Sequence, residues 1–214
     1  MAGTMKIGTH EIGDSTQCYV IAEIGHNHQG SLDRARELFK EAKLAGAHAV
    51  KLQKRHNRGL YTRAAYNKPY DNENSFGATY GEHREFLEFE REEYTALQAY
   101  AKELGVDFFA TAFDLQSADF LQSLDVPAFK IASGDLKTIP LLQHVARLGK
   151  PMFVSTGGAT LEDVRRMETT LPKPTLLTPS REHRHEIWDA PILWVSLFVI
   201  LCLEWILRKR ARLI

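Results

Sequence analysis

The sequence predicts an α/β protein in which strands and helices alternate along residues 1–167. Short apolar runs, each of a strand's length, recur at 19–25, 49–53, 106–113, 127–134 and 151–158. Amphipathic helical patterns lie between these runs, and glycines follow several of them, as is typical of helix C-termini. Regular alternation with connections of this length predicts parallel strands joined by right-handed crossovers.

The first β–α unit has the clearest local signals. The run YVIAEIG at 19–25 is apolar without alternation, which is typical of a strand buried in a parallel sheet. Ser31 is placed to cap the helix that follows, and Gly46 is placed to end it. The apolar residues of this helix share one face: Leu32, Ala35, Leu38, Phe39 and Ala42. The second strand, AVKLQ, follows at 49–53.

Later helices are expected at residues 90–104, 114–124, 139–148 and from 160 onward. Gly105 closes the first of these helices, and Gly149 closes the third. Asp114 is placed to cap the second, and Thr160 with Asp163 matches a capping box for the last. Together with the intervening strands, these helices make about five β–α units.

Alternation alone fits both a (β/α) barrel and an open doubly wound sheet. The phosphate-binding patterns GxGxxG and GxxxxGK[ST] are absent, which argues against a nucleotide-binding sheet. Lys plus Arg and Asp plus Glu each number 27, so no bulk attraction to nucleic acid is expected. The N-terminal segment has no apolar signal region, so we expect a cytoplasmic barrel.

Residues 54–89 interrupt the β–α rhythm. This stretch has little periodicity and is rich in Tyr, Asn, Gly and His. A loop this long inside a compact domain is uncommon and usually functional, and the alternative is a solvated surface insertion.

Each predicted strand ends in polar residues. They are Glu23, Lys51, Gln53, Thr111, Asp114, Lys130, Ser133, Asp135, Ser155 and Thr156. Catalytic groups of a (β/α) barrel lie at these carboxyl ends. A buried Lys without a partner is costly, so Lys51 and Lys130 together indicate an anionic ligand. The alternative is that each Lys pairs with a neighbouring carboxylate as part of the structure.

Other groups at the strand ends suit the same anion. Hydroxyl donors are available there from Thr111, Ser133 and Ser155. With the backbone N–H groups of the glycine turns, they predict a cradle for a phosphate and a carboxylate. Glu23 is the acidic group facing that anion, suited to proton transfer or to positioning a hydroxyl. His26 and His28 are expected to be hydrogen-bonding loop histidines rather than a metal site.

Several motifs together resemble the N-acetylneuraminate (sialic acid) synthase family. They are IAEIGHNHQG at 21–30, AVKLQ at 49–53, YDNENSFGATYGEHR at 70–84, FFATAFD at 108–114, FKIASGDL at 129–136 and VSTGG at 154–158. The resemblance runs in order over about residues 12–167, and it extends to relatives that make legionaminic or pseudaminic acid. It implies the N-terminal part of a (β/α)8 TIM barrel, an incomplete barrel of about five β–α units.

The resemblance also implies a reaction and a site. In such enzymes C3 of phosphoenolpyruvate attacks the aldehyde of N-acetylmannosamine or a related amino sugar, water adds at C2, and phosphate leaves. A divalent metal, Mn²⁺ or Mg²⁺, polarises the aldehyde. By motif, the phosphoenolpyruvate-binding residues are Lys51, Thr111, Lys130, Ser133 and Ser155. Glu23 maps to the catalytic position near the reacting carbons, and Gln53 maps to a sugar-contacting position.

The chain departs from the family after the fifth strand. The family's barrel has eight strands, and its later strands carry two metal-binding histidines, to which His183 and His185 do not correspond. The antifreeze-like domain that completes the family's homodimeric site is not found either. We therefore expect a truncated chain without metal ligands, weakly active or inactive, that does not form the family's dimer.

The composition changes near residue 168. A Pro-rich, charged linker is expected at 168–190 and a hydrophobic helix at 191–214. Trp194, Trp205 and the cluster RKRAR favour a transmembrane or tail-anchor helix over a buried amphipathic one, which would bring the barrel to a membrane. The alternative function is a non-catalytic, membrane-anchored remnant that binds small anions or protein partners. The change of composition also raises the hypothesis of a foreign segment joined by a frameshift, rearrangement or gene-model error.

Overall fold

The computed structural model describes residues 4–13 and 16–171. Its strands are β1 Met5–Ile7, β2 His10–Ile12, β3 Ile21–Gly25, β4 Ala49–Lys54, β5 Asp107–Ala112, β6 Phe129–Ile131 and β7 Met152–Val154. Its helices are α1 Leu32–Leu44, α2 Asn57–Leu60, α3 Arg63–Tyr66, α4 Tyr80–Phe86, α5 Arg91–Leu104, α6 Leu115–Ser123, α7 Ile139–Arg147 and α8 Leu161–Thr170. A 3-10 turn at Ser133–Asp135 follows β6.

Strands β3 to β7 form one parallel sheet in chain order. Each strand pairs beside its predecessor, so the order does not reverse within the described residues. A doubly wound sheet requires such a reversal, whereas a (β/α) barrel adds each strand next to the last. The topology therefore confirms the predicted α/β class and favours the barrel over the open sheet.

The helix ends follow the signals in the sequence. Ser31 caps α1 by accepting a 3.2 Å hydrogen bond from the amide three residues later. Asp114 caps α6 in the same way at 2.7 Å. Thr160 and Asp163 form the predicted capping box of α8, and Gly105 ends α5 in a left-handed conformation at φ 65°. These ends confirm the predicted helices because their caps are local and were readable from the sequence.

The core lies on both faces of the sheet, because alternate residues of a strand point to opposite sides. On the outer face, Phe108 packs against Phe39 of α1 and Tyr94 of α5, at ring-centroid distances of 5.3 and 5.7 Å. On the inner face, Phe109 stacks against Phe153 of β7 at 5.8 Å and is fully buried. Contact between side chains of β5 and β7 across β6 fits a sheet that curls toward its inner face, as a barrel requires.

Two features of the sheet differ from the sequence-based prediction. Strands β1 and β2 form an antiparallel pair that periodicity does not predict, because three-residue strands are too short to show a pattern. Strands β6 and β7 are shorter than the apolar runs at 127–134 and 151–158. The polar residues at the end of each run leave the sheet and turn, which places them at its carboxyl edge.

Residues 54–89 contain three short helices, α2, α3 and α4, rather than an irregular loop throughout. Helix α4 begins with a capping box between Thr79 and Glu82, a Thr-x-x-Glu pattern present in the sequence. Gly81 and His83 on this helix are buried. Outside the segment, Arg84 approaches His26 and Phe86 approaches Gly30, so the segment also packs against the first β–α unit, which argues against a purely solvated insertion.

Residues after α8 carry the remaining sequence-based expectations. Helix α8 continues to Thr170, so the first residues of the predicted linker at 168–190 are helical. No helix in the part of the chain that the structure describes is long and apolar enough to cross a membrane. The rest of the linker, the hydrophobic helix at 191–214 and the membrane contact expected from it lie outside the described residues.

Candidate active site

Lys51 lies in the middle of β4, and its ammonium group reaches toward the carboxyl end of β5. It is 6% exposed on β4, and its Nζ donates a 2.8 Å hydrogen bond to Thr111 Oγ1 on β5. It also forms an ion pair with Glu23 of β3, the residue that faces it in the strand register. The structural alternative, a lysine paired with a carboxylate, therefore holds in part for Lys51. Half of the Glu23 side chain is exposed, so its carboxylate is accessible to a ligand.

Lys130 lies on β6, with β5 between it and the strand that carries Lys51. Its Nζ contacts Ser155 Oγ and donates a 2.6 Å hydrogen bond to Ile131 O. Burial, and then repulsion from Lys51, lower the pKa of Lys130 to about 8, and Glu23 acts in the opposite direction. The two ammonium groups are close enough to repel each other, and no carboxylate among the described residues forms an ion pair with Lys130.

The two predicted serines follow β6 and β7, and one of them contacts a lysine. Ser155 follows β7 and contacts Lys130, as described. Ser133 begins the 3-10 turn after β6, and its Oγ is 3.9 Å from the position that a Cβ at Gly157 would occupy. A side chain at position 157 would therefore lie against Ser133. The structure brings both predicted serines to the edge of the sheet where the lysines end.

Gly25 separates Glu23 from Gln53. Its φ of +55° lies in the left-handed region that glycine adopts most readily. A Cβ at this position would lie 3.3 Å from Glu23 Oε1 and 3.4 Å from Gln53 Nε2. The carboxylate and the amide are therefore neighbours over the glycine backbone.

Three further residues join the site, and sequence reasoning missed two of them. Arg55 lies over the Phe113 ring, with Cζ 3.7 Å from the ring centroid, and its Nη2 donates a 2.7 Å hydrogen bond to Gln53 Oε1. Arg84 of α4 comes from the 54–89 segment. The His26 ring lies between these arginines, with Nε2 3.4 Å from Arg55 Nη1 and Nδ1 3.5 Å from Arg84 Nη1. The signal available in the sequence was the position of Arg55, two residues after Gln53 and directly after the end of β4.

His28 has a structural role. It is 2% exposed, stacks on Phe89 at a ring-centroid distance of 4.1 Å, and its Nδ1 accepts a 3.1 Å hydrogen bond from the Gly30 amide. Burial, and then the proximity of His26, lower its pKa to about 4. His28 is therefore neutral at pH 7 and acts as the hydrogen-bonding loop histidine that the sequence predicted.

A separate cleft of about 460 Å³ lies beside the strand ends. Its lining residues are Lys54, Arg55, His56, Asn57, Arg58, Glu85, Glu88, Glu90, Gln116, Ser117 and Phe120. Only Arg55 of the residues described above lines it. Lys54 donates a 2.6 Å hydrogen bond to Phe89 O and forms ion pairs with two glutamates, while Arg58 pairs with Glu85 at 3.0 Å. The charges of this cleft are largely paired with one another, so we assign the chemistry to the strand ends.

A divalent metal ion would need several His, Cys, Asp or Glu ligands close together. Within residues 4–13 and 16–171, no group of three or more His, Cys, Asp or Glu side chains is arranged to hold a metal ion. His183 and His185 lie outside the described residues. The described residues therefore do not fit the divalent metal that the family motifs imply.

Comparison with known proteins connects the chain to sugar-acid synthases. The NeuB family model matches residues 38–187. The chain is 47% identical over 153 residues to N-acetylneuraminate-9-phosphate synthase of Drosophila melanogaster, covering 72% of this chain and 41% of that protein. It is 40% identical over 167 residues to N,N'-diacetyllegionaminic acid synthase of Legionella pneumophila, covering 77% and 47% of the two chains.

A solved structure shares the fold. N-acetylneuraminic acid (sialic acid) synthetase of Leptospira borgpetersenii, determined in complex with citrate, superposes with a TM-score of 0.67 and 27% identity. The match covers 79% of this chain and 55% of that one. The chain spans less than half the length of the two curated relatives named above. The resemblance carried by the strand-end motifs is thus confirmed over the N-terminal part of the chain.

Proposed function

Because the chain belongs to the NeuB family, we propose that it forms the phosphoenolpyruvate-binding part of a synthase that joins phosphoenolpyruvate to an amino sugar and releases phosphate. The product is a nonulosonic acid, the class that includes sialic acid. The observation that supports the proposal is the placement of Lys51 and Lys130 on either side of Thr111, which accepts a hydrogen bond from Lys51 and faces Lys130 in the strand register.

The strand ends suit a ligand that carries both a phosphate and a carboxylate. Lys130 contributes a positive charge that no carboxylate of the described residues neutralises, whereas Lys51 shares its charge with Glu23. Ser155 lies against Lys130, and Thr111 lies against Lys51, so each ammonium group has a hydroxyl beside it. Charge-assisted hydrogen bonds from such pairs are the strong contacts that oxyanions form in proteins.

The side chains suggest roles in the condensation. C3 of phosphoenolpyruvate forms the new carbon–carbon bond to the aldehyde carbon, and the aldehyde oxygen takes up a proton. Water adds to the resulting C2 cation and gives up a proton, after which the C2–oxygen bond to phosphate breaks and a ketone forms. We assign the water-derived proton to Glu23, the accessible carboxylate beside Lys51. Gln53, next to Glu23, positions the sugar.

The acceptor is N-acetylmannosamine or a related amino sugar. The Drosophila relative is named for a product phosphorylated at C9, and the Legionella relative for an unphosphorylated acid. Sugar C1 bonds to C3 of the three-carbon donor, so sugar C6 becomes C9 of the product. A C9 phosphate therefore originates as a C6 phosphate on the acceptor, and the two relatives differ in that group.

Titration calorimetry with phosphoenolpyruvate tests the proposal on the full chain. We expect binding that weakens by about tenfold or more in Lys130→Ala and in Lys51→Ala, because each removes a charge from the anion site. Lys40→Ala, an exposed lysine on α1, is the matched control and should bind as the unaltered chain does. Equal affinity in Lys130→Ala and in the control would remove the basis of the proposal.

A synthase assay separates catalysis from binding. With phosphoenolpyruvate, N-acetylmannosamine and Mn²⁺, we expect little or no product from this chain, because its described residues offer no metal site. Anion binding without turnover is the second candidate function, favoured by that same observation. Product formation that disappears in Lys130→Ala would instead establish the chain itself as the catalyst.

A further inference from the structure

The two arginines on either side of His26 are held in place but lack an acidic partner. Arg55 is fixed by the Phe113 ring and by Gln53, and Arg84 Nε donates a 3.0 Å hydrogen bond to the hydroxyl of Tyr80. Within residues 4–13 and 16–171, neither guanidinium forms an ion pair with a carboxylate. Rigid, unpaired guanidinium groups are the geometry that proteins use for phosphate and carboxylate ligands.

His26 cannot satisfy both arginines. A neutral imidazole has one acceptor nitrogen, so it accepts a hydrogen bond from at most one of the guanidinium groups that face its two nitrogens. Both contacts are long, at 3.4 and 3.5 Å. At least one arginine N–H group therefore points at the ring without an acceptor, although an acceptor-rich anion placed beside the ring would satisfy both arginines.

The nearest acidic groups do not neutralise the pair. Glu88 Oε2 accepts a 3.2 Å hydrogen bond from the backbone amide of Arg55 and lies 3.5 Å from Lys54 Nζ. Its Oε1 lies 3.6 Å from His26 Nε2. Asp135 is near enough for Arg55 to lower its pKa, but burial dominates and raises that pKa above its usual value. A single carboxylate shared among Lys54, His26 and Arg55 leaves net positive charge at the two guanidinium groups.

The two arginines lie where the C6 end of a bound hexose would be expected. Lys51 and Gln53 share one face of β4 and follow one another by about 6.5 Å along the strand. Arg55 follows the last residue of β4, and its hydrogen bond to Gln53 Oε1 holds the guanidinium beside the Gln53 side chain. A six-carbon sugar has about that length from its aldehyde carbon to C6. With the aldehyde near Glu23 and Gln53, C6 and its substituent would reach Arg55.

We propose that Arg55 and Arg84, on either side of His26, form a second anion site that binds a phosphate ester at the far end of the acceptor sugar. The inference rests on the proposed function for the position of the aldehyde, and it narrows the acceptor to a hexosamine 6-phosphate. Arg55 reaches the ester from the strand end, and Arg84 reaches it from α4. The 54–89 segment thereby recognises the acceptor.

Calorimetric titration of the full chain tests this site, with phosphoenolpyruvate present and absent. The probes are N-acetylmannosamine 6-phosphate and N-acetylmannosamine. We expect the phosphorylated sugar to bind about tenfold tighter or more, and this preference to disappear in Arg55→Ala and Arg84→Ala. Arg58→Ala removes a neighbouring, exposed arginine that pairs with Glu85, and it should keep the preference.

Lysine variants show whether a lost preference comes from the missing guanidinium contacts or from misfolding. Arg55→Lys and Arg84→Lys keep the charge but lose the two-pronged geometry, so they should retain a reduced preference, and circular dichroism should show the fold unchanged. An equal affinity for the two sugars, or a preference that survives both alanine variants, would overturn the proposal.

The two proposals fail in distinguishable ways. If phosphoenolpyruvate binding depends on Lys130 but the phosphorylated sugar is not preferred, the arginine site is wrong and the proposed function is retained. If the chain prefers the phosphorylated sugar through Arg55 and Arg84 but does not bind phosphoenolpyruvate, the proposed function is wrong and the arginine site is retained.

Discussion

Lys51 and Lys130 approach each other across an intervening strand. Thr111 of that strand accepts a hydrogen bond from Lys51 and faces Lys130 in the strand register. Only Lys51 has a carboxylate partner, Glu23, among the described residues. The site thus contains one lysine whose charge is compensated and one whose charge is available, and this asymmetry leads to different expectations for the two residues.

Phosphoenolpyruvate affinity should fall as the pH rises through about 8. Lys130 has a pKa lowered to about 8 by burial and by Lys51, so it is charged below that pH and loses its proton above it. We expect affinity to be nearly constant from pH 7 to 7.5 and to fall by up to about tenfold per unit well above pH 8. Calorimetry across this range checks the expectation. Lys130→Arg keeps its charge and should remove the dependence, and a dependence that persists in that variant would assign it to another group.

Glu23→Gln should separate substrate binding from chemistry. The variant removes the partner of Lys51 and frees its charge for the ligand, so we expect phosphoenolpyruvate to bind as tightly as before or several-fold tighter, on the order of 0.5–1 kcal/mol. Any condensation activity should be lost, because the carboxylate that accepts the proton is gone. The two readouts are calorimetry and phosphate release. A loss of affinity as large as that of Lys51→Ala would show that Glu23 serves only to hold the lysine.

Gly25→Ala should cost more stability than Gly46→Ala. Both glycines have positive φ, at +55° and +87°, so each alanine carries a backbone cost of roughly 1–2 kcal/mol. At position 46 the added Cβ meets nothing within 4 Å, whereas at position 25 it comes within 3.4 Å of both Glu23 and Gln53. Urea unfolding compares the two variants. Only the change at Gly25 should also weaken sugar binding, and equal effects of the two variants on sugar binding would contradict this account.

Thr79→Ala should weaken the acceptor site without affecting the donor site. Thr79 caps α4 through a capping box with Glu82, and this helix carries Arg84. Loss of the cap costs about 1 kcal/mol and loosens the helix start. We expect weaker binding of the phosphorylated sugar and unchanged binding of phosphoenolpyruvate, measured by calorimetry. Thr160→Ala, which removes the equivalent capping box of α8, is the matched control. If both variants weaken the sugar equally, the effect of Thr79 is not local.

Thermal unfolding should be broad and followed by aggregation. In the part of the chain described, β3 and β7 each pair on one side only. Unpaired strand edges favour pairing between molecules, and an open barrel leaves its inner face incompletely covered. Scanning calorimetry with light scattering is the measurement. A single sharp, reversible transition without scattering would mean that these edges are protected.

Much of the cluster at the strand ends was predictable, because parallel strands bring their carboxyl ends to one edge. Glu23, Lys51 and Lys130 each interrupt an apolar run, so strand periodicity together with the motifs identified them. The exact partners were not predictable. That Lys51 is paired and Lys130 is not depends on strand register and on which side chains meet across β5.

The arginine site was missed for a different reason. Arg84 lies 58 positions from His26 in the chain, and only the fold of the 54–89 segment brings them together. That segment has short helices whose caps are local but whose packing is not, so no periodic pattern indicates where they dock. The same limit applies to the β1–β2 pair, whose strands are too short to show alternation.

By itself the sequence determined the order of the five parallel strands and the helices between them outside residues 54–89, several helix caps and the polar residues near the strand ends, because all of these depend on neighbours within a few positions. Only the tertiary structure decided which charges are paired, how the two lysines lie relative to each other and which side chains of the 54–89 segment reach the carboxyl edge of the sheet. Those properties depend on distances between residues far apart in the chain, and such distances exist only once the sheet has curled and the segment has packed upon it.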